Sequence, residues 1–244
     1  MSPSISVILP AYNEEKNIPI LISKVIRFLQ EKFEKFEIIL VDDGSSDQTF
    51  YYMEKWKKKF PEYIVLIRHL KNRGYGATLR SGIEMAKGDA IFFMDSDNQF
   101  DIRELEYFLP HLATFSIIAG FRVYRYDTVL RCLLSWVYNR LVSVLFGISI
   151  KDIDCAYKLF KKEVFQEIHI ETDDFFVNAE IMGKSSRLGF SIFQMGVRHY
   201  PRYHGRTTVR PSHIPQTLWT ILKLYRRIMR LKRLPSIQNA ESLL

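Results

Sequence analysis

The chain is poor in cysteine, because its 244 residues contain only Cys132 and Cys155. Two isolated cysteines form neither a zinc-binding pattern nor a disulfide framework, which favours a reducing compartment. No uninterrupted apolar run approaches the ~20 residues of a membrane-spanning helix. A signal peptide is not expected either, since strand-like sequence begins at Ser4. These absences predict a protein that is made and remains on the cytoplasmic side.

Compact basic blocks and nucleic-acid-binding motifs are also missing, although the chain carries a net charge of +8. Its aromatic residues follow core periodicities instead of forming a stacking platform, so nucleic acid is not an expected partner. With 47% hydrophobic residues the chain can bury a substantial core. The positive charge favours a phosphorylated small molecule or an anionic lipid surface as the partner.

The chain does contain three acidic segments, and each follows a short apolar run of strand composition. The runs and the segments after them are Ile5 to Leu9 with Pro10 to Glu14, Ile38 to Val41 with Asp42 to Ser45, and Ala90 to Met94 with Asp95 to Asp97. In an open parallel sheet the loops after the strands converge on one crevice. Several carboxylates placed together there require a cation, or a ligand that brings one. The pattern predicts a metal-assisted enzyme that acts on an anionic substrate.

The first half of the chain alternates strand-like and helix-like patterns, which predicts a parallel α/β sheet with right-handed crossovers. Further predicted elements there are a helix from Ile18 to Phe33, a helix from Phe50 to Phe60, a strand from Tyr63 to Arg68 and a helix from Gly74 to Ala86. The second half is less regular. Its predicted elements are a helix from Thr128 to Gly147, a return toward the sheet from Lys151 to Phe160, a helix from Asp173 to Leu188, a strand from Ser191 to His199, a basic loop from Tyr200 to Pro211 and an amphipathic helix from about Ile214 to Leu234.

Two of the helices in the second half, Thr128 to Gly147 and Ile214 to Leu234, combine an apolar arc with basic residues. Such helices suit a membrane interface, where anionic lipid attracts each lysine or arginine by ~1 kcal/mol. Packing of these helices on a partner protein or on each other is the alternative.

The segment Asp95-Ser96-Asp97 places two carboxylates two residues apart at a strand end. Together with Gln99 it offers only oxygen ligands, which suits a hard divalent ion such as Mg²⁺ or Mn²⁺. Such an ion keeps open coordination positions for phosphate oxygens. A nucleoside diphosphate is therefore the expected occupant of the crevice.

These motifs, in this order, resemble those of family 2 glycosyltransferases. The first half carries Val7-Ile8-Leu9-Pro10-Ala11-Tyr12-Asn13-Glu14, Val41-Asp42-Asp43-Gly44-Ser45, Asn72-Arg73-Gly74-Tyr75-Gly76-Ala77, Ala86-Lys87-Gly88-Asp89 and Asp95-Ser96-Asp97. The second half resembles the polyprenyl-phosphate branch, which includes enzymes like dolichyl-phosphate mannosyltransferase. The matching segments are Gly120-Phe121-Arg122, Arg131, Lys151-Asp152-Ile153-Asp154-Cys155-Ala156-Tyr157-Lys158 and Arg202-Tyr203-His204-Gly205-Arg206-Thr207.

The resemblance implies a GT-A fold, the nucleotide-diphospho-sugar transferase fold, with a mostly parallel central sheet flanked by helices. The implied catalytic domain covers residues 1–211. Within it, residues 4–120 form the nucleotide-sugar and metal half, and residues 121–211 form the acceptor half. Residues 212–244 form a basic amphipathic helix and tail.

The resemblance also implies roles for individual residues. The implied nucleotide-binding residues are Pro10, Tyr12, Glu14, Asp43 and Asp95. The implied metal ligands are Asp95, Asp97 and Gln99. The implied catalytic set, which serves the metal, the donor diphosphate and the acceptor phosphate, is Asp95, Asp97, Arg122, Arg131 and Arg202. The implied acceptor residues are Arg131, Asp152, Asp154, Glu180 and Arg206.

The expected reaction is an inverting, metal-dependent transfer of a sugar from a nucleotide sugar to a polyprenyl phosphate at the membrane surface. A lipid phosphate has a second pKa near 6, so it is already a nucleophile at neutral pH. A hydroxyl acceptor, on a glycan or a lipid-linked saccharide, is the alternative. It would need a general base, for which the candidates are Asp152, Asp154 and Asp174. A non-catalytic scaffold subunit is a further alternative.

Several properties stay open at the level of sequence. Both UDP and GDP donors fit the motifs, and neither the sugar nor the length of the lipid is indicated. The expected location is peripheral, on the cytoplasmic side of a membrane. A homo-oligomer and a membrane-protein partner both remain open.

Overall fold

The computed structural model describes residues 3–124, 129–202 and 223–234 of the chain. These residues form a seven-stranded sheet in the order β3-β2-β1-β4-β6-β5-β7. The strands are β1 (Ile5–Ala11), β2 (Phe36–Asp42), β3 (Ile64–Arg68), β4 (Ala90–Met94), β5 (Ile117–Arg122), β6 (Tyr157–Lys161) and β7 (Ile192–Val197). The first four strands, β1 to β4, lie where the apolar runs of the sequence indicate.

Helices cover both faces of this sheet. They are α1 (Ile18–Lys32), α2 (Thr49–Lys59), α3 (Tyr75–Met85), α4 (Leu105–Phe108), α5 (Val129–Phe146), α6 (Glu163–Glu167) and α7 (Val177–Leu188). Short 3₁₀ turns at Ile102–Glu104 and Leu109–Ala113 flank α4. A further helical segment covers residues 223–228. Within the described ranges, no helix has both the length and the apolar composition needed to cross a bilayer.

The sheet is mostly parallel, which confirms the prediction. Strand β1 pairs in parallel with β2 and β4, β2 with β3, and β5 with β7. Only β6 among the described strands is reversed, because it pairs antiparallel with both β4 and β5. As a result, the carboxyl ends of β1, β2, β4, β5 and β7 and the amino end of β6 all lie at one edge.

The central strands are buried on both faces, as expected for parallel strands that are covered by helices. In β1, Val7 and Leu9 pack in one core cluster with residues of α1. The residue between them, Ile8, points to the opposite cluster, which contains residues of α5 and α7. This alternation follows from the two-residue period of a strand. It explains why β1 reads as a continuous apolar run.

The helix predicted from Asp173 begins at Val177 instead. Residues before it form turns, in which Phe176 N–H donates to Asp174 Oδ1 at 3.0 Å. The backbone carbonyl of Asp173 accepts from Gly76 N–H at 2.8 Å. Because that carbonyl binds the first turn of α3, the backbone at Asp173 follows the loop before α3 and is not part of α7.

Residues 214–222 of the predicted C-terminal amphipathic helix lie outside the described part of the chain, and residues 223–228 of its described portion are helical. This helical portion packs on the body of the protein, where Leu224 and Ile228 are buried. The ring of Tyr225 lies 6.3 Å from that of Phe146 in α5. Met229, expected on the apolar side, is exposed. This portion therefore packs on another helix, which is the alternative to lying in a membrane interface.

Candidate nucleotide and metal site

The first two acidic loops are joined by hydrogen bonds at the carboxyl edge of the sheet. Asn13 N–H donates to Ser45 Oγ at 2.9 Å, and Ser46 N–H donates to Asn13 Oδ1 at 2.9 Å. Asn13 adopts a positive φ of 56°, a conformation that asparagine tolerates better than most residues. Glu14 N–H donates to Thr49 Oγ1 at 2.7 Å. The two loops thus form one rigid wall of the crevice.

Three of the predicted nucleotide-binding residues line this wall. Pro10 is buried in β1, opposite Val41 of β2. The ring of Tyr12 is 39% exposed at the rim, where a base could stack on it. Glu14 accepts from Asn17 Nδ2 at 2.5 Å. Burial raises the pKa of the Glu14 carboxyl, and the hydrogen bond from Asn17 opposes this effect.

Asp43, the fourth predicted nucleotide-binding residue, is buried and bonded within the protein. Its carboxylate accepts from Arg73 N–H and Gly74 N–H, both at 2.9 Å, and lies 2.7 Å from His69 Nδ1. The other ring nitrogen of His69 lies 3.0 Å from Ser81 Oγ. Asp43 therefore holds the loop before α3 in place beside the crevice. Its contact with a base or ribose stays a prediction.

Sequence patterns did not single out His69. It follows β3 directly, at the same sheet edge as the acidic segments. Its position directly after a predicted strand could have indicated His69 as a site residue. Nothing nearby in the sequence indicates that His69 pairs with Asp43.

Asp95 and Asp97 lie together at the end of β4. Burial and the negative charge of Asp97 raise the pKa of the Asp95 carboxyl to about 7. The phenol of Tyr75 and the guanidinium groups of Arg202 and Arg122 oppose this shift. The site therefore disfavours two adjacent negative charges unless a cation accompanies them.

Asp97 already has partners for both of its carboxylate oxygens. Oδ1 accepts from Gln99 N–H at 3.1 Å, and Oδ2 accepts from Arg202 Nη2 at 2.5 Å. Burial lowers the pKa of Arg202, but the attraction of Asp97 outweighs that effect and keeps this pKa above its usual value. An arginine thus sits beside the carboxylates that were predicted to bind the metal.

The donor set of this loop fits a hard divalent cation. Its candidate donors are oxygens, and two of them, Ser96 Oγ and Asn98 Oδ1, are buried and have no hydrogen-bond partner among the described residues. Gln99 Nε2 donates to the carbonyl of Tyr200 at 2.8 Å, which leaves its Oε1 as the atom for a metal. Nowhere in the described ranges do three or more acidic, histidine or cysteine side chains form a metal cage. Asp95, Asp97 and Gln99 would therefore share the ion with ligand oxygens and water.

The raised pKa of Asp95 predicts that metal affinity depends on pH. A cation must displace the proton that Asp95 carries below about pH 7. We therefore expect the affinity for Mn²⁺ to fall about tenfold for each pH unit below that value, and to level off above it. Mn²⁺ binding isotherms between about pH 5 and pH 9 test this. The Asp95→Asn variant, which has no such proton, should lose the slope; an affinity of the wild type that is independent of pH would contradict the prediction.

Arg122, predicted to act on phosphate, is held by Asp152 through two parallel hydrogen bonds. Arg122 Nε lies 2.7 Å from Asp152 Oδ2, and Nη2 lies 2.8 Å from Oδ1. Burial opposes the charge of Arg122, but the bonds to Asp152 keep the pKa of the guanidinium above its usual value. Because both of its oxygens face Arg122, Asp152 is poorly placed to act as a general base.

A buried lysine fixes the loop that carries Asp152. Lys158 Nζ donates to the carbonyl of Ile153 at 2.9 Å, to Asn178 Oδ1 at 3.0 Å and to the carbonyl of Cys155. Burial lowers the pKa of this ammonium group. The family resemblance includes Lys158 in its matching segment, but the sequence does not indicate its burial, since its partners are backbone carbonyls and a residue 20 positions away.

The remaining acceptor residues are placed less directly. Glu180 is fully buried and accepts from Glu171 N–H at 2.9 Å and Thr172 N–H at 2.8 Å, while Lys184 Nζ lies 2.7 Å away. These bonds make it an anchor for the segment before α7. Asp154 lies beside the buried hydroxyl of Tyr138.

Two predicted arginines cannot be placed in the site. The side chain of Arg131, on α5, lies outside the described part of the structure, and so does the whole of Arg206. Their proposed contacts with the acceptor remain predictions.

Comparison with known proteins identifies what this arrangement resembles. The model of glycosyl transferase family 2 matches residues 6–169. The dodecaprenyl-phosphate galacturonate synthase of Rhizobium johnstonii is 29% identical over 91% of this chain and 66% of its own length. The human dolichyl-phosphate β-glucosyltransferase is 31% identical over 68% of this chain and 59% of its own length. The chain thus spans less than two thirds of the length of these relatives.

Solved structures show the same fold. The glucosyl-3-phosphoglycerate synthase of Mycobacterium tuberculosis, in complex with Mn²⁺, UDP-glucose and phosphoglyceric acid, superposes with a TM-score of 0.69. The match covers 91% of this chain and 79% of that protein at 19% identity. The GT-A fold predicted from the sequence is therefore confirmed.

Proposed function

Because the chain belongs to glycosyl transferase family 2, we propose that it transfers a sugar from a nucleotide sugar to a polyprenyl phosphate, with inversion at the anomeric carbon. The observation that carries this proposal is the meeting of opposite charges at one sheet edge. Asp95 and Asp97 stand there opposite Arg122 and Arg202. A divalent cation on the carboxylates and two guanidinium groups are suited to a substrate that carries a diphosphate and an acceptor that carries a phosphate.

The proposed chemistry uses these charges where negative charge grows. As the acceptor oxygen bonds to the anomeric carbon, the bond to the nucleoside diphosphate breaks and the leaving group takes up its electron pair. Mg²⁺ or Mn²⁺, held by Asp95, Asp97 and Gln99, would supply Lewis-acid stabilisation of that leaving group. Arg122 and Arg202 add fixed positive charge, the type of electrostatic stabilisation that contributes most to many enzymes.

The bonding of Asp152, a candidate general base, favours a phosphate acceptor. An ionised phosphate needs no general base, and Asp152 is bonded at both oxygens to Arg122. The two relatives compared above are named for dodecaprenyl phosphate and dolichyl phosphate, which are polyprenyl phosphates. These names support the same acceptor class. The solved relatives contain UDP or UDP-glucose with Mn²⁺ or Mg²⁺, which supports a UDP-linked donor.

A hydroxyl acceptor is the second candidate, and one observation favours it. Asp174 is half-buried, and burial, together with the charges of Asp173 and Glu180, raises the pKa of its carboxyl. A carboxylate with a raised pKa beside a crevice is typical of a general base. Product analysis separates the two candidates.

The proposed site of action is the cytoplasmic surface of a membrane, with the protein bound peripherally. Helix α5 exposes large apolar side chains, among them Trp136 at 64% and Val144 at 65%, next to the exposed Arg140. An apolar helix face with flanking cations suits the boundary between headgroups and acyl chains. The same face of α5 is also suited to bind a second copy of the chain or a membrane protein.

The test is transfer from a panel of UDP- and GDP-sugars, with Mn²⁺, to a short-chain polyprenyl phosphate and to the matching polyprenol. We expect a product only from the phosphate, and we expect mild acid to release the sugar from it. A product that is stable to mild acid and forms from the alcohol would identify a hydroxyl acceptor. Absence of any transfer with every donor, from protein that binds UDP and Mn²⁺, would favour the scaffold alternative.

A further inference from the structure

The chain segment that leaves β7 is fastened along the loop that follows β4. Arg198 N–H donates to Glu104 Oε2 at 3.1 Å. Two residues later, Tyr200 and Gln99 form a pair of hydrogen bonds: Tyr200 N–H donates to the Gln99 carbonyl, and Gln99 Nε2 donates to the Tyr200 carbonyl, both at 2.8 Å. The proposed metal ligand Gln99 is therefore also the attachment point of this segment.

The segment delivers the guanidinium of Arg202 into the group of carboxylates. Arg202 Nη2 lies 2.5 Å from Asp97 Oδ2, and Nη1 lies 3.9 Å from Glu14 Oε1. The other oxygen of Asp97 accepts from Gln99 N–H. A cation bound at Asp97 Oδ2 would lie next to the guanidinium, so the repulsion between the two positive charges opposes their simultaneous binding.

We propose that Arg202 competes with the divalent cation for Asp97 in the ligand-free protein and, once displaced, binds the diphosphate of the donor. This inference rests on the proposed function, because it requires a donor diphosphate. Gln99 holds the segment at Tyr200, two residues from Arg202, so that the guanidinium stays within reach of both positions. Arg202 would thereby prevent strong metal binding before the nucleotide arrives.

The competition has a thermodynamic consequence whose size depends on the nucleotide. Without nucleotide, the observed metal affinity is the intrinsic affinity multiplied by the fraction of molecules in which Arg202 has left Asp97. With UDP bound, the same arginine gains a phosphate partner and favours the metal-bound state. Binding of metal and nucleotide should therefore be coupled through Arg202, and the coupling must be equal in both directions.

The test measures Mn²⁺ affinity of Arg202→Gln from the electron paramagnetic resonance signal of free Mn²⁺. Without nucleotide we expect the variant to bind Mn²⁺ about five to twenty times more tightly than the wild type. With saturating UDP we expect the two affinities to agree within about twofold, because the phosphate then holds Arg202 of the wild type away from Asp97. A residue that only supports the structure would have the same effect with and without UDP. Equal or weaker Mn²⁺ binding by the variant without nucleotide would overturn the proposal.

The controls keep the result specific to this site. Arg103→Gln removes an exposed arginine that pairs with Asp101 in the same loop at 2.6 Å, and it should leave both Mn²⁺ affinities unchanged. Asp97→Asn should weaken Mn²⁺ binding under both conditions, which identifies the titrated site. Arg202→Lys, which keeps the charge, provides a second variant if Arg202→Gln does not fold, and it should retain part of the competition. None of these titrations contains an acceptor, so a failure of the proposed lipid transfer would not alter them.

Discussion

Replacing Asp97 with asparagine is expected to reduce sugar transfer about a thousandfold. The substitution removes one of the two carboxylate charges that would hold the divalent cation. The fold should survive, because the amide oxygen can still accept the hydrogen bond from Gln99 N–H, the contact that shapes the loop. Single-turnover measurements with saturating donor and acceptor give the rate, and circular dichroism with thermal unfolding checks the fold.

A nearby aspartate provides the matched control for this experiment. Asp101 lies in the same loop, accepts from Arg103 N–H at 3.0 Å and pairs with the side chain of Arg103 outside the crevice. Asp101→Asn should therefore leave the transfer rate within about twofold of the wild type. If Asp97→Asn kept more than about a tenth of the wild-type rate, the proposed metal role of Asp97 would be wrong.

The position of Asp97 could be predicted because it depends on regular structure. Apolar runs of strand length precede each acidic segment, and parallel strands end at the same sheet edge. Once β1, β2 and β4 pair in parallel, their following loops must meet. Local patterns therefore suffice to place the three acidic segments at one edge of the sheet.

The acceptor half could not be predicted in the same way. Strand β6 runs antiparallel between β4 and β5, and this reversal brings the segment before it, with Asp152, to the site edge. The sequence predicts that the chain from Lys151 to Phe160 returns toward the sheet, but it does not predict the direction of the strand. The bonding of individual carboxylates could not be predicted either: Glu180, a candidate acceptor residue, accepts a backbone N–H group within the protein.

The pairing of distant side chains is the physical reason for this difference. The partner of a carboxylate is set by loops that approach in three dimensions, as when Asp152 meets Arg122 across 30 positions of the chain. No periodicity encodes such a pair. The family resemblance implies roles for both residues in the acceptor half, and the structure adds that the two side chains are paired.

Asp152→Asn is expected to slow transfer about a hundredfold and to lower the free energy of unfolding by about 3 kcal/mol. The carboxylate now accepts two hydrogen bonds from Arg122, at 2.7 and 2.8 Å, and both side chains are largely buried. Asparagine offers one oxygen, and its amide N–H groups would face the N–H groups of the guanidinium. Arg122 would then lose the orientation in which it meets a phosphate. Rate measurements and chemical denaturation test the two effects.

A double-substitution cycle shows whether Asp152 acts through Arg122 or as a general base. If it only positions Arg122, the combined Arg122→Gln and Asp152→Asn variant should be no slower than Arg122→Gln alone, because the group that Asp152 positions is already absent. If Asp152 were a general base for a hydroxyl acceptor, its loss would slow the Arg122→Gln enzyme further. It would also remove the acidic limb of the pH–rate profile. A positioning residue leaves that limb in place, since it accepts no proton in the reaction.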